Sequence, residues 1–273
     1  RQAEVLPRIL KVLRICQAET QDMKSLVAPV DVLSRLVLLS SSFMSAFLRA
    51  DGIGVLCDVG AFSSASPSRI VVNALLIARQ LARASDRNYT ALQSTGSGSA
   101  SGLLSPTCLS ALLRHAEAPV RAKTCNLLGN LCRHSGHFYG TLVAPADGPS
   151  AGTPLHGLID ACSDPDSATR KFACFAVGNA AFHSAELYPF LEHAIEPLVQ
   201  SLCDEEEKTR ANAAGALGNL VRNSDTLCDA LVAHRVPEAL FGVALSGASP
   251  APQRIALFSL GTLAVYDSCR VAL

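Results

Sequence analysis

Residues 214 to 224 read "AGALGNLVRNS". Ala213, Leu217 and Leu220 recur at i, i+4 and i+7, the apolar stripe of an α-helix. Yet Gly215 and Gly218 lie inside that helix, and each mid-helix glycine costs about 1 kcal/mol relative to alanine. A helix that keeps both needs a compensating interaction. Gly218 sits just off the stripe, where a missing side chain lets a neighbouring helix cross closely, and the dispersion attraction between the two helices offsets the propensity cost. The stretch predicts a packing helix.

The same phrase recurs along the chain: "VRAKTCNLLGNLCRHS" (120 to 135), "TRKFACFAVGNAAFHS" (169 to 184), and a weaker copy, "PQRIALFSLGTLAVYDS" (252 to 268). The aligned glycines are Gly129, Gly178, Gly218 and Gly261, separated by 49, 40 and 43 residues, around the period of armadillo and HEAT units. Each copy repeats the stripe, as Thr124, Leu128, Leu131; Ala173, Val177, Ala180; and Ala256, Leu260, Leu263. A shorter apolar segment precedes each long helix, such as "IEPLVQSL", and another follows, such as "TLCDALVAH". Three helices per unit with the longest last is the armadillo arrangement. The reading is an all-α, right-handed superhelical solenoid of three-helix repeats, one array over 1–273. Clear repeats fill 103–273, and degenerate ones fill 1–93, with a long helix over 68–85 and others over 5–16 and 30–39. Loop insertions interrupt it at 94–102 and 143–154, and the closing "CRVAL" reads as the first helix of a further unit.

Local signals mark helix ends. Asp204 with Glu207 forms a D-x-x-E capping pattern, Pro119 and Pro165 stand near first turns, and Ser135, Ser184 and Ser224 are placed to cap following helices.

Lysine plus arginine equals aspartate plus glutamate, 23 each, so no global positive field draws in nucleic acid or an anionic membrane. No apolar run reaches membrane-spanning length. Ten cysteines without a CxxC pair, with Cys125, Cys174 and Cys203 in apolar stretches, read as buried reduced thiols of a cytoplasmic protein. Tryptophan is absent, so packing relies on Leu, Val and Ala.

Asn130, Asn179 and Asn219 follow the glycines directly and fall off the apolar stripe. A carboxamide there can hold an extended peptide by its main-chain N–H and C=O groups, or it can bond a neighbouring helix and fix repeat packing; the sequence supports both. Four residues earlier stand Asn126, Phe175 and Gly215, where armadillo arrays that read basic signals carry tryptophan. Basic-signal binding is therefore not expected, and the candidate protein-binding groove comprises Asn126, Asn130, Phe175, Asn179 and Asn219. Arg121, Arg170 and Arg210 also repeat, each four residues after an acid (Glu117, Asp166, Glu206), which suggests helix-surface ion pairs rather than a phosphate grip. Cys132, His134 and His137 are close in sequence, but His134 is matched by His183 and then Asn223, and Cys132 by Ala181 and Val221, so the cluster is one copy's version of a helix end and no metal site is expected. The glycine-rich run Gly96 to Gly102 lacks a phosphate loop's lysine. No kinase signature is present, and neither catalytic residues nor a cofactor is expected.

The phrases "VRAKTCNLLGNLCRHSGHFYG", "RKFACFAVGNAAFHSAELY" and "TRANAAGALGNLVRNSDTLC" carry the run from Leu103 to Leu240 beyond a generic repeat consensus. That run resembles the C-terminal armadillo-type region of the Fused family of serine/threonine kinases. The resemblance implies a parent with a kinase domain and this region as its non-catalytic protein-binding scaffold. It further implies placement on the cytoskeleton, at microtubule structures such as the central apparatus of the ciliary axoneme, with kinesin-like or other microtubule-associated proteins as partners. The alternative it implies is cis-regulation of an active kinase in Hedgehog-type signalling or cytokinesis.

Overall fold

The computed structural model describes residues 2–20, 22–95, 102–148, 152–246 and 250–272, and among them there are helices and turns but no strand. The insertion at 94–102 falls largely outside the described residues, as does the middle of the one at 143–154. The chain divides into two compact units, Arg1–Leu127 with Ala144–Pro154, and Leu128–Val143 with Leu155–Leu273.

The first unit contains α1 (Gln2–Thr20), α2 (Val27–Leu39), α3 (Ser41–Arg49), α4 (Gly52–Asp58), α5 (Ser68–Ala84), α6 (Tyr89–Leu92), α7 (Pro106–Leu113) and most of α8 (Ala118–Leu131). The segments expected over 5–16 and 30–39 lie in α1 and α2, and the one expected over 68–85 is α5, which ends one residue earlier at Ala84. Helix α5 buries Ile70, Ala74, Ile77, Ala78 and Leu81 at helical spacing and packs against α2, which buries Val30, Leu33 and Val37. Here α1 is the longest helix and comes first, so its layer departs from the short-short-long order.

The second unit repeats regularly. Its layers are α9 (Tyr139–Val143), α10 (Pro154–Asp160) and α11 (Ser167–Ala180); α12 (Tyr188–Leu191), α13 (Ile195–Ser201) and α14 (Glu207–Asn219); and α15 (Cys228–Ala233), α16 (Val236–Leu245) and α17 (Pro250–Leu263); α18 (Asp267–Val271) follows. Third helices stack on third helices, α11 on α14 and α14 on α17, with Ala173, Val177, Leu217 and Ala256 fully buried.

The repeated glycine lies where the next third helix crosses. A Cβ on Gly218 would stand 2.4 Å from Ser259 Oγ and 2.9 Å from Ser259 Cα; on Gly178 it would stand 3.3 Å from Ala216 Cα; on Gly129 it would stand 2.6 Å from the Phe175 ring. Gly261 has nothing within 4 Å.

Several helix starts differ from their sequence signals. Helix α14 begins at Glu207 with Glu206 at its N-cap, so Asp204 is not the cap. Asp204 accepts the Glu206 N–H at 2.8 Å and pairs with Arg170 of the preceding layer at 2.6 Å. A partner from another layer has taken the carboxylate that the local pattern assigned to capping. Asp166 does cap α11, accepting the Thr169 N–H at 2.8 Å. The hydroxyls of Ser184 and Ser224 accept the N–H two residues on, shaping the turns that precede α12 and α15 rather than capping those helices. Cys203, expected inside an apolar helix, lies just past α13 and is exposed, whereas Cys125 and Cys174 are buried.

Asp204 as a residue is half-buried, but its side chain is only 4% exposed. Burial works to raise its pKa, but the Arg170 guanidinium, the Glu206 N–H and the charge of Arg210 together hold the carboxyl below the usual carboxylate range.

Two measurements check this architecture. In urea denaturation, Gly218→Ala should destabilise the protein by about 1–3 kcal/mol through overpacking, while Gly261→Ala should be neutral or stabilise it by up to about 1 kcal/mol. Equal effects at the two sites would contradict the crossing. Asp204→Asn should destabilise by about 1.5–3 kcal/mol, the contribution of a hydrogen bond to a charged group. Because the folded-state pKa is depressed, the difference from wild type should be full above the unfolded value near pH 4 and shrink as pH falls through the folded value. A difference that persists unchanged to low pH would contradict the pair's role.

Candidate peptide-binding face

Phe175, Asn179 and Phe182 recur at i, i+4 and i+7 along α11 and the turn after it, and Gly215, Asn219 and Arg222 do the same from α14. The apolar stripe occupies the other face of each helix, so this row is what α11 and α14 present away from the core.

The two asparagines on it are half-buried and hold the layers together. Asn179 Nδ2 donates to Gly129 O at 2.7 Å, and Asn219 Nδ2 donates to Gly178 O at 2.9 Å. Each amide thus reaches the carbonyl of the preceding layer's repeated glycine, which the close crossing brings within range. Their Oδ1 atoms make no hydrogen bond within the protein among the described residues. Asn130 and Asn126 are 3% and 9% exposed and already engaged inside the protein, so the face open to a partner is narrower than the sequence implied. Phe175 is half-buried, with its ring over Gly129. Of the five candidate residues, Phe175, Asn179 and Asn219 remain half-buried, whereas Asn126 and Asn130 are buried.

Further stitches between layers were not identified from sequence. His183 Nε2 lies 3.2 Å from Arg133 O, Asn223 Nδ2 donates to Phe182 O at 3.1 Å, and Tyr188 Oη lies 3.3 Å from Ala181 O. The alternation of His134, His183 and Asn223 at one repeat position is their trace in the sequence, since each type carries a nitrogen donor.

The repeated arginines have a role that their spacing does not mark. Arg170 Nη1 donates to the carbonyls of Asp164 and Pro165 at 2.9 and 3.0 Å, Arg210 Nη1 to those of Asp204 and Glu205 at 2.8 and 3.0 Å, and Arg121 Nη1 to those of His115 and Ala116, both at 2.9 Å. Each guanidinium clamps the turn leading into its own helix. The carboxylate of Glu206, expected to pair with Arg210, instead takes Lys171 of the preceding layer at 2.8 Å.

Beyond the helix ends, Phe182 is 38% exposed and Arg222 Cζ sits 4.1 Å from its ring centroid, a cation–π contact. Cys132 is buried and its thiol is pushed up to about 12 by desolvation, unlike a metal-binding thiolate. Among the described residues no group of three His, Cys, Asp or Glu side chains is placed to hold a metal ion, and no helix is long and apolar enough to cross a membrane.

The layered geometry agrees with known proteins. The HEAT-like repeat family matches residues 167–220. Serine/threonine-protein kinase 36 of Mus musculus is 30% identical over 256 residues, 94% of this chain and 17% of that protein. Serine/threonine-protein kinase TIO of Arabidopsis thaliana is 37% identical over 267 residues, 91% of this chain and 19% of that protein. The chain is homologous to Fused-type serine/threonine kinases. It spans less than a fifth of the length of these kinases. Protein kinases carry their ATP-binding lysine on a strand, and the described residues contain none, so the homologous part is a helical repeat region and not a kinase fold. Among solved structures, a designed armadillo repeat protein in complex with the peptide (KR)4 superposes with a TM-score of 0.77 at 20% identity, covering 94% of this chain and 99% of that one. A computationally designed armadillo repeat protein for modular peptide recognition gives 0.75 at 21% identity, with the same coverage. The fold is the armadillo type.

Because each amide supports the stack, Asn179→Ala and Asn219→Ala should each lower stability by about 1 kcal/mol in urea denaturation. Unchanged stability would show that these asparagines do not join the layers.

Proposed function

We propose that the chain is a non-catalytic protein-interaction scaffold of a Fused-type kinase polypeptide, holding an extended peptide of its partner along the third-helix face of the second unit. The observation that carries this reading is the row formed by Asn179, Phe182, Asn219 and Arg222. It exposes an aromatic ring, a guanidinium and two carboxamide oxygens along consecutive layers, on a fold shared with a designed armadillo protein solved in complex with a peptide. The oxygens suit main-chain N–H groups, and the ring suits an apolar side chain.

The setting we infer is a microtubule structure such as the axoneme, with kinesin-like or other microtubule-associated partners; this rests on the resemblance to the Fused family alone. The second reading, regulation of a kinase domain in cis, rests on the homology to whole kinases of which this region is a small part.

Crosslinking mass spectrometry of the parent polypeptide in its native assembly separates the two. With a photo-crosslinking residue at position 182, the scaffold reading expects crosslinks to microtubule-associated proteins. The same residue at position 241, on the second helix of its layer, should give none. Crosslinks from 182 only to the parent's own kinase domain would overturn the scaffold reading and favour regulation in cis.

A further inference from the structure

The second unit holds two sets of arginines in different chemical states. Arg170 and Arg210 each have a guanidinium nitrogen occupied by two carbonyls of their own turns. Arg133 and Arg222, at a later position of the repeat, are exposed and make no hydrogen bond or ion pair through their guanidinium groups within the protein among the described residues. Arg222 is nevertheless held, because its flat face lies on Phe182 at 4.1 Å. Stacking of this kind leaves the N–H edge open for a bidentate carboxylate.

Arg133, Phe182, Arg222 and Val265 occupy the same position in successive repeats, and Val265 is 70% exposed. The edge therefore alternates cation, aromatic, cation, aliphatic. Packed helices lie about 8–10 Å apart, and a polyproline-II segment repeats every 3 residues with a rise of about 3.1 Å each, so about 9 Å per turn. One turn of such a segment advances one layer. Meanwhile one N–H of each of Asn179 and Asn219 is taken by a glycine carbonyl, and their Oδ1 atoms stand ready to accept from peptide N–H groups.

We propose that this edge binds an acidic, extended peptide in which acidic and apolar side chains alternate at three-residue intervals, the acids meeting Arg133 and Arg222 and the apolar groups meeting Phe182 and Val265. This deepens the peptide-binding reading above and rests on it. The sign of the charge is opposite to that of the (KR)4 peptide in the designed neighbour.

The test is fluorescence anisotropy of the chain with three labelled 14-residue peptides: one with Glu and Leu alternating every third position between Ser and Pro, one with Lys in place of each Glu, and one scrambled acidic peptide. The alternating acidic peptide should bind at least tenfold more tightly than the other two, and weaken with salt. Arg133→Glu combined with Arg222→Glu should lower its affinity at least tenfold while the melting temperature stays within a few degrees, since both side chains are exposed. If the Lys peptide binds as tightly as the Glu peptide, and loses affinity in Phe182→Ala, the acidic inference is overturned while the peptide-binding face stands. The acidic inference also fails if the double charge reversal leaves affinity within twofold. Binding of none of the peptides would overturn both.

Discussion

The close crossing of one third helix on the next is the interaction from which the rest of the second unit follows. A helix packs at normal distance with any apolar stripe, but here Gly218 lets Ser259 approach until even a methyl group would collide, and Ser259 Oγ then reaches Ala214 O at 2.8 Å. The same closeness brings Asn219 to Gly178 O and Asn179 to Gly129 O. The glycine costs helix propensity, and the dispersion attraction and hydrogen bonds that its absent side chain permits offset that cost. Small residues and carboxamides at the repeated position are two halves of one device.

Charge reinforces the same joint. Arg170 with Asp204 and Lys171 with Glu206 connect α11 to the turn before the next long helix. Because Arg170 also clamps its own turn, one side chain fixes both the start of its helix and the distance to the following layer. In such an array each layer contacts only its neighbours, so stability accumulates from these local joints rather than from one central core. The outward face is then free for recognition chemistry, with Phe182 and Arg222 held by each other rather than by the core.

Much of this is legible in the sequence because it depends on spacing. The glycine register, the stripe Ala173, Val177, Ala180 and the order short, short, long all follow from periodicity, and the structure of the second unit carries each of them. What depends on a partner distant in sequence is not legible. Asp204 fits a capping pattern through its neighbours, but Arg170, 34 residues away, claims it. The acids before Arg170 and Arg210 suggest ion pairs, whereas main-chain carbonyls, which every residue has and no pattern marks, are the partners that both guanidinium groups share. Asn126 and Asn130 match the candidate row in type but not in exposure, since burial of an asparagine leaves no trace in its identity. Cys203 departs from its expected place because the apolar run it closes outlasts the helix itself, which ends at Ser201.

The central claim is that the missing side chain of Gly218 exists to admit Ser259, and a double-mutant cycle measures this directly. Gly218→Ala and Ser259→Gly are made singly and together, and unfolding free energies are compared. The account predicts a coupling of about 1 kcal/mol or more, within the range for contacting residues, with Gly218→Ala far less harmful once Ser259 is glycine. Strict additivity of the two substitutions would contradict it.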